Sequence, residues 1–184
     1  MYLVDTNVLS EARRGRSQAR EWLRSVDPDH IFISVVTLGE IMKGISLKTR
    51  DDATAAAALH HWLEQLRSDY ARRILPISDD VALEWGKIAA TRPYDMADAL
   101  IAATAVVHRK TVVTRNASDF KDLDVRVIDP WSLGKSRAKG PISGGALAPR
   151  RDTAVSPAET WLPPTVRRAA GRQASGSSGG ALLS

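Results

Sequence analysis

Tyr2-Leu3-Val4-Asp5-Thr6-Asn7-Val8-Leu9-Ser10 decides how the rest of the chain folds. Tyr2, Leu3 and Val4 form a short apolar run, the pattern of a strand buried on both faces of a parallel sheet. Asp5 follows at the carboxyl end of that strand, and in open α/β sheets ligands bind in the crevice at those ends. Thr6 or Asn7 can cap a helix that continues through Glu11 and Arg14. Residue type alone leaves two roles for Asp5: a site carboxylate, or an ordinary turn and capping residue, since Asp favours both. The remainder of the chain has to separate them.

Working outward, strands and helices alternate. Gly15, among Arg13, Arg14 and Arg16, reads as a helix stop, and Ser17 as the cap of a second helix carrying Ala19, Trp22, Leu23 and Val26 on one face. Ile31–Ser34 is a second strand. A helix follows from about Val35 to Leu47, with Val35, Leu38, Ile41, Met42 and Ile45 at helical spacing. Glu40 lies within it, where a solvated charge is the ordinary expectation. Asp51-Asp52 starts a further helix; its adjacent His60 and His61 point different ways and make poor joint metal ligands. Ile74–Ile77 is a short strand, its proline suiting a sheet edge, and Ser78 or Asp79 caps the next helix. After the Arg92-Pro93-Tyr94 loop, Asp95 opens the most apolar helix, Met96 to about His108. Asp98 stands three residues on, as in a capping box with Asp in place of Glu or Gln. Both acids can thus serve the helix dipole. Thr111–Thr114 and Val125–Ile128 are β-branched strands, and Asp129-Pro130-Trp131 closes the domain.

Two segments follow from composition: a globular domain over residues 1–134, and a Gly/Ser/Pro/Arg-rich stretch over 135–184 that reads as a disordered tail. The net charge of +5 belongs to that tail, which carries eight basic and two acidic residues. The domain itself has 18 basic and 19 acidic residues, so any nucleic-acid contact must come from local patches or bound cations. There is no cysteine, which excludes disulfides and thiolate metal sites. Asp5 interrupts the first apolar run before it could serve as a signal-peptide core, and no stretch is long and apolar enough to span a membrane. The expectation is a soluble, cytoplasmic protein.

Four acids stand out by placement. Asp5 and Asp119 follow apolar strands, Asp98 begins a buried helix, and Glu40 lies in a helix that follows another strand. A parallel sheet with right-handed crossovers could bring all four to one edge. Clustered carboxylates repel one another unless they share a cation. All-oxygen ligation suits Mg²⁺ or Mn²⁺, whereas zinc prefers His or Cys.

These motifs resemble those of a known family. Leu3-Val4-Asp5-Thr6-Asn7-Val8-Leu9-Ser10 is similar to the opening motif of PIN-domain proteins, and Val36-Thr37-Leu38-Gly39-Glu40 to their second acidic motif. Asp98-Ala99-Leu100-Ile101-Ala102-Ala103-Thr104-Ala105 is similar to the third, and Thr114-Arg115-Asn116 with Asp119-Phe120 to the fourth. Each motif alone is weak; four in order, over about Met1 to Trp131, are specific. The likeness is strongest to VapC-type toxins of type II toxin–antitoxin systems, FitB-like members included.

The resemblance implies a three-layer α/β/α PIN-like fold around a central, mostly parallel sheet. It implies an Mg²⁺-dependent endoribonuclease (Mn²⁺ as substitute), homodimeric and held inactive by a cognate VapB-type antitoxin. Carried over residue by residue, Asp5, Glu40, Asp98 and Asp119 match the acidic site, with Thr6 and Asn116 as polar neighbours. Asp95 is either a helix cap, which its position favours, or a supporting group behind the site.

The chemistry agrees. One or two ions, about 3.5–4 Å apart if paired, can stabilise charge on a phosphodiester and deprotonate water. Asp5, Asp98 and Asp119 are the candidate metal ligands, and Glu40 the group that orients the attacking water. Arg13, Arg14 and Arg115, near the motif-bearing segments, are the candidate RNA phosphate contacts. Two alternatives remain open. A haloacid-dehalogenase-like phosphatase needs a second Asp where this chain has Asn7. A non-catalytic α/β binding module leaves Glu40 and Asp119 without a purpose.

Overall fold

The computed structural model describes residues 1–133; the expected tail lies outside them. Five strands form one sheet in the order β3-β2-β1-β4-β5, and every pairing is parallel. They are β1 (Tyr2–Val4), β2 (Ile31–Ser34), β3 (Ile74–Leu75), β4 (Thr111–Val113) and β5 (Val127–Ile128). The helices are α1 (Thr6–Arg13), α2 (Ser17–Ser25), α3 (Val35–Lys48), α4 (Ala53–Asp69), α5 (Asp79–Ala89), α6 (Met96–Val107) and α7 (Pro130–Leu133). The expected α/β class and layered sheet hold, and the sheet is wholly rather than mostly parallel.

The path explains where the site must be. From β1 the chain crosses through α1 and α2 to β2, then through α3 and α4 to β3. It next returns through α5 and α6 to β4, on the other side of β1. Right-handed crossovers in opposite directions put the two helix sets on opposite faces. Side chains show this split. Leu3 and Val112, paired in register, share a core with Val81 and Ile88 of α5, Ile101 of α6 and Phe120. Tyr2, on the other face by strand alternation, meets Trp22 of α2 edge-on, ring centres 5.2 Å apart. The order reverses between β1 and β4, so the crevice at their carboxyl ends is the topological switch point.

Local signals set most boundaries. Ser34, Asp52, Ser78 and Asp95 each cap their helix with a side-chain oxygen. Gly15, at φ +91°, ends α1. Its amide bonds Ala12 O and the Arg16 amide bonds Glu11 O, the paired closure of a Schellman motif. Three expectations shift. Ser17 is the first residue of α2 rather than its cap, a position taken by Arg16. Thr6 likewise begins α1, and Asp5 holds the cap position. The third and last strands shrink to Ile74–Leu75 and Val127–Ile128, because only these residues pair with a neighbour. None of the described helices is long and apolar enough to cross a membrane.

Candidate functional site

Asp5 leaves β1 at the switch point and is 4 % exposed. Its backbone occupies the N-cap position of α1, yet its carboxylate makes no capping hydrogen bond. Asp5 Oδ2 instead accepts from Thr114 Oγ1 at 2.6 Å and from Asn7 Nδ2 at 2.5 Å. Thr114, fully buried, stands directly after β4. Its hydroxyl also accepts from Asn7 Nδ2 at 2.9 Å and from the Asn116 amide at 3.0 Å. Asn7 Oδ1 receives the Arg115 amide at 3.1 Å. Asn7 and Thr114 therefore lock the two switch-point loops together around one carboxylate oxygen. An Asp at position 7 could not donate those hydrogen bonds, so the amide is what this arrangement requires.

The other acids arrive from separate elements. Glu40, part-buried on α3, accepts from Thr6 Oγ1 at 2.5 Å. Asp98, in the first turn of α6, receives no hydrogen bond among the described residues and does not close the expected capping box. Asp119 lies in a short 3-10 turn, Ala117–Phe120, after β4, with Ser118 Oγ 3.4 Å from its Oδ1. Asp95 is exposed and caps α6 by accepting from the Ala97 amide at 2.9 Å. The Asn116 side chain is exposed; only its backbone amide joins the network.

The electrostatics tie these acids into one field. The Asp98 carboxyl is pushed up to about 6, first by burial and then by the charges of Asp5, Asp119, Asp95 and Glu40. Burial also raises Glu40, against the Thr6 hydrogen bond, with Asp5 and Asp95 adding to the rise. Asp5 is raised by burial and opposed first by the Thr114 hydroxyl. The Thr6 and Asn7 amides face Asp5 closely enough to lower it, without closing a cap.

Such a set fits a hard cation by its donor chemistry: oxygen only, with one carboxylate free of competing donors. Among the described residues no three acids or histidines stand close enough to enclose an ion by themselves. Asp5, the rigid mount, and Asp98 and Asp119, which share its field, could reach an ion directly or through its waters.

The arginines differ among themselves. Arg13 is half-buried, its guanidinium over Trp62 at 5.3 Å. It lines a groove of about 630 Å³ that opens beside Thr6 and Glu40 and includes Arg14 and Lys48. Arg14 and Arg115 are exposed, and both reach Glu11, at 3.1 and 3.8 Å. The parts of Asn7, Thr114 and Glu11 were not assigned from sequence. The pairing of Asn7 with Thr114 spans 107 positions, and only the strand register reveals it.

Comparison with known proteins agrees with this fold. Residues 2–126 match the model of the PIN domain. The chain is 37 % identical over 139 residues to Toxin FitB of Neisseria gonorrhoeae, covering 71 % of this chain and 99 % of that one. It is 27 % identical over 144 residues to VapC ribonuclease Y4jK of Sinorhizobium fredii, covering 71 % and 98 %. A solved toxin-antitoxin complex from Klebsiella pneumoniae superposes with a TM-score of 0.56 at 30 % identity, over 71 % of this chain and 98 % of that one.

Proposed function

The chain belongs to the PIN-domain family, and on that premise we propose that it is a metal-dependent endoribonuclease, the toxin of a VapBC-type toxin–antitoxin module. The observation that supports this reading is the convergence of Asp5, Glu40, Asp98 and Asp119. They come from four separate segments and share one electrostatic field beside the switch point. When bound, Mg²⁺ or Mn²⁺ supplies positive charge for the phosphate oxygens and acidifies water. Asp5, Asp98 and Asp119 would hold the ion, directly or through its waters. Asp5 is immobilised by Thr114 and Asn7, so its oxygen stays fixed as the substrate enters. Glu40, with one oxygen pinned by Thr6, turns the other to the attacking water. Asn116 and Asp95 support the site from behind, the first through the Thr114 hydroxyl, the second through the start of α6.

RNA is the substrate, with Arg13, Arg14 and Arg115 on its phosphates. The relatives are named as a toxin, a ribonuclease and a toxin-antitoxin complex. By similarity the partner of this chain is a cognate VapB-type antitoxin; a second copy of itself is the further partner we propose, and the cytoplasm, where RNA is available, the place. The nuclease domain of this reading is residues 1–134. The test is cleavage of RNA by the purified protein with millimolar Mg²⁺ and with chelator. Metal-independent cleavage, or equal cleavage by Asp5→Asn, would overturn the reading.

A further inference from the structure

Glu11 is an acid where an RNA-binding surface should be basic. It lies on α1, six residues beyond Asp5, about 9 Å along the helix axis. Its side chain is only 13 % exposed, and three arginines surround it. Arg14 Nη1 is 3.1 Å from Oε1, while Arg16 Nε and Arg115 Nη1 are 3.3 and 3.8 Å from Oε2. The guanidinium side chains are 66 %, 67 % and 57 % exposed. The carboxylate is thus the covered centre, and the cations fan outward from it.

The backbone is arranged for this. Arg16 folds back towards Glu11 only because Gly15 takes φ +91° and the Arg16 amide bonds Glu11 O. Arg115 is fixed twice more: its amide is held by Asn7 Oδ1, and its guanidinium lies over Trp131 at 5.6 Å. Exposed arginines ordinarily lose much side-chain entropy when they bind a phosphate. A shared carboxylate removes part of that loss in advance, and guanidinium forks match phosphate oxygens bidentately. Three cations around one acid also leave a local surplus of positive charge in a domain that has none overall.

We propose that Glu11 is a positioning residue, holding Arg14, Arg16 and Arg115 as a preorganised phosphate-binding platform for the RNA backbone next to the acidic cluster. This rests on the ribonuclease reading and adds Glu11 and Arg16 to it.

The sign of one substitution tests it. Simple electrostatics says that removing an acid beside a polyanion tightens binding. The platform says that Glu11→Gln loosens it, because the three arginines lose their common anchor. The measurement is fluorescence anisotropy of the full chain with a labelled single-stranded oligoribonucleotide of mixed sequence, in EDTA, over a range of salt. The 135–184 tail is present in every variant and contributes equally.

We expect Glu11→Gln to weaken binding about three- to tenfold, with a melting temperature near that of the original. Arg16→Ala should weaken binding as well and reduce the salt slope by about 0.7, one phosphate contact on a single strand. Glu11→Gln binding as tightly as the original, or more tightly, overturns the platform and leaves the ribonuclease reading intact. An unchanged salt slope in Arg16→Ala also overturns it, whatever Glu11→Gln does to folding. An original chain that binds no oligoribonucleotide overturns both.

Discussion

Asp5 and Asp95 hold the same formal position, the N-cap of a helix that begins beside the carboxyl edge of the sheet. Their backbones are alike, with φ and ψ of −71° and 153° at Asp5 and −60° and 135° at Asp95. Their side chains do opposite things. Asp95 is exposed and bonds the Ala97 amide, as a capping residue does. Asp5 is buried, leaves its own helix uncapped, and is held by Thr114 and Asn7 from across the switch point. A capping position therefore fixes only the backbone. Whether the carboxylate serves the helix or a site depends on what other elements present to it. Where a local rule is broken and the group is instead held from a distance, function is the expected cause.

The largest effect should come from Asp5 itself. Asp5→Asn keeps the shape and an acceptor oxygen but removes the charge. Nuclease activity should fall by more than about 100-fold, the upper end for residues one step removed from a metal. The metal-free variant should be at least as stable as the original, since a buried carboxylate with a raised pKa works against folding at neutral pH. Mg²⁺ should raise the melting temperature of the original by linkage and that of Asp5→Asn by less. Melting both proteins with chelator and with millimolar Mg²⁺ decides this; equal responses would make Asp5 a turn residue like any other.

Next is the group that distinguishes Asp5 from Asp95. Thr114→Val keeps the volume and removes a hydroxyl that donates once and accepts twice. Activity should fall about 10- to 100-fold. Stability should fall by roughly 1–3 kcal/mol, because the Asn116 amide and Asn7 lose a partner near the core. The acidic limb of the pH–rate profile should also move to higher pH, since the lost hydrogen bond held the Asp5 pKa down. Unchanged activity would separate the Asn7–Thr114 lock from catalysis.

The two aspartates also show what could be read from sequence. The apolar run before Asp5, the alanine-rich helix after Asp95 and the β-branched Thr111–Val113 gave strands, helices and their order, because burial imposes period and composition locally. The four acids could be placed at one edge because parallel connectivity leaves few alternatives. The hydrogen bonds that assign Asp5 its role could not be read. Thr114 and Asn7 meet only through the register of β1 on β4. Asp98 looked like half of a capping box by spacing, but its carboxyl is exposed to the other acids rather than bonded to Asp95. Glu11 reads from sequence only as a residue of the first helix, and its Arg115 contact depends on a loop more than a hundred residues away.

A smaller effect follows from the field that both aspartates share. Asp98 is raised from the usual 3.8 to about 6. A carboxyl raised on folding binds more protons in the folded state than in the unfolded state between those values. Stability of the metal-free protein should therefore fall as pH rises from about 4 to 6 and level off above, with Glu40 and Asp5 contributing in the same sense. Asp98→Asn should flatten that decline in melts with chelator. A metal-free protein that becomes more stable across this window would refute the convergence.

The smallest effect belongs to Asp95, and it sharpens the comparison most. Asp95→Ala loses a cap, which costs about 1 kcal/mol, or about 3–5 °C in melting temperature for a domain of this size. Asp95→Asn should restore that stability, because Asn caps as well as Asp. The two variants should nevertheless agree in a second respect. Each removes a charge that pushes up Asp98 and Glu40, so both carboxyls should titrate lower than in the original when followed by NMR without metal. Stability thus reports the cap and titration reports the charge, and the Ala and Asn variants separate the two. Nuclease activity should survive in both, since Asp95 supports the site without holding the ion. Loss of activity in Asp95→Asn comparable to that of Asp5→Asn would erase the distinction between the two aspartates, and would place Asp95 among the residues that hold the metal.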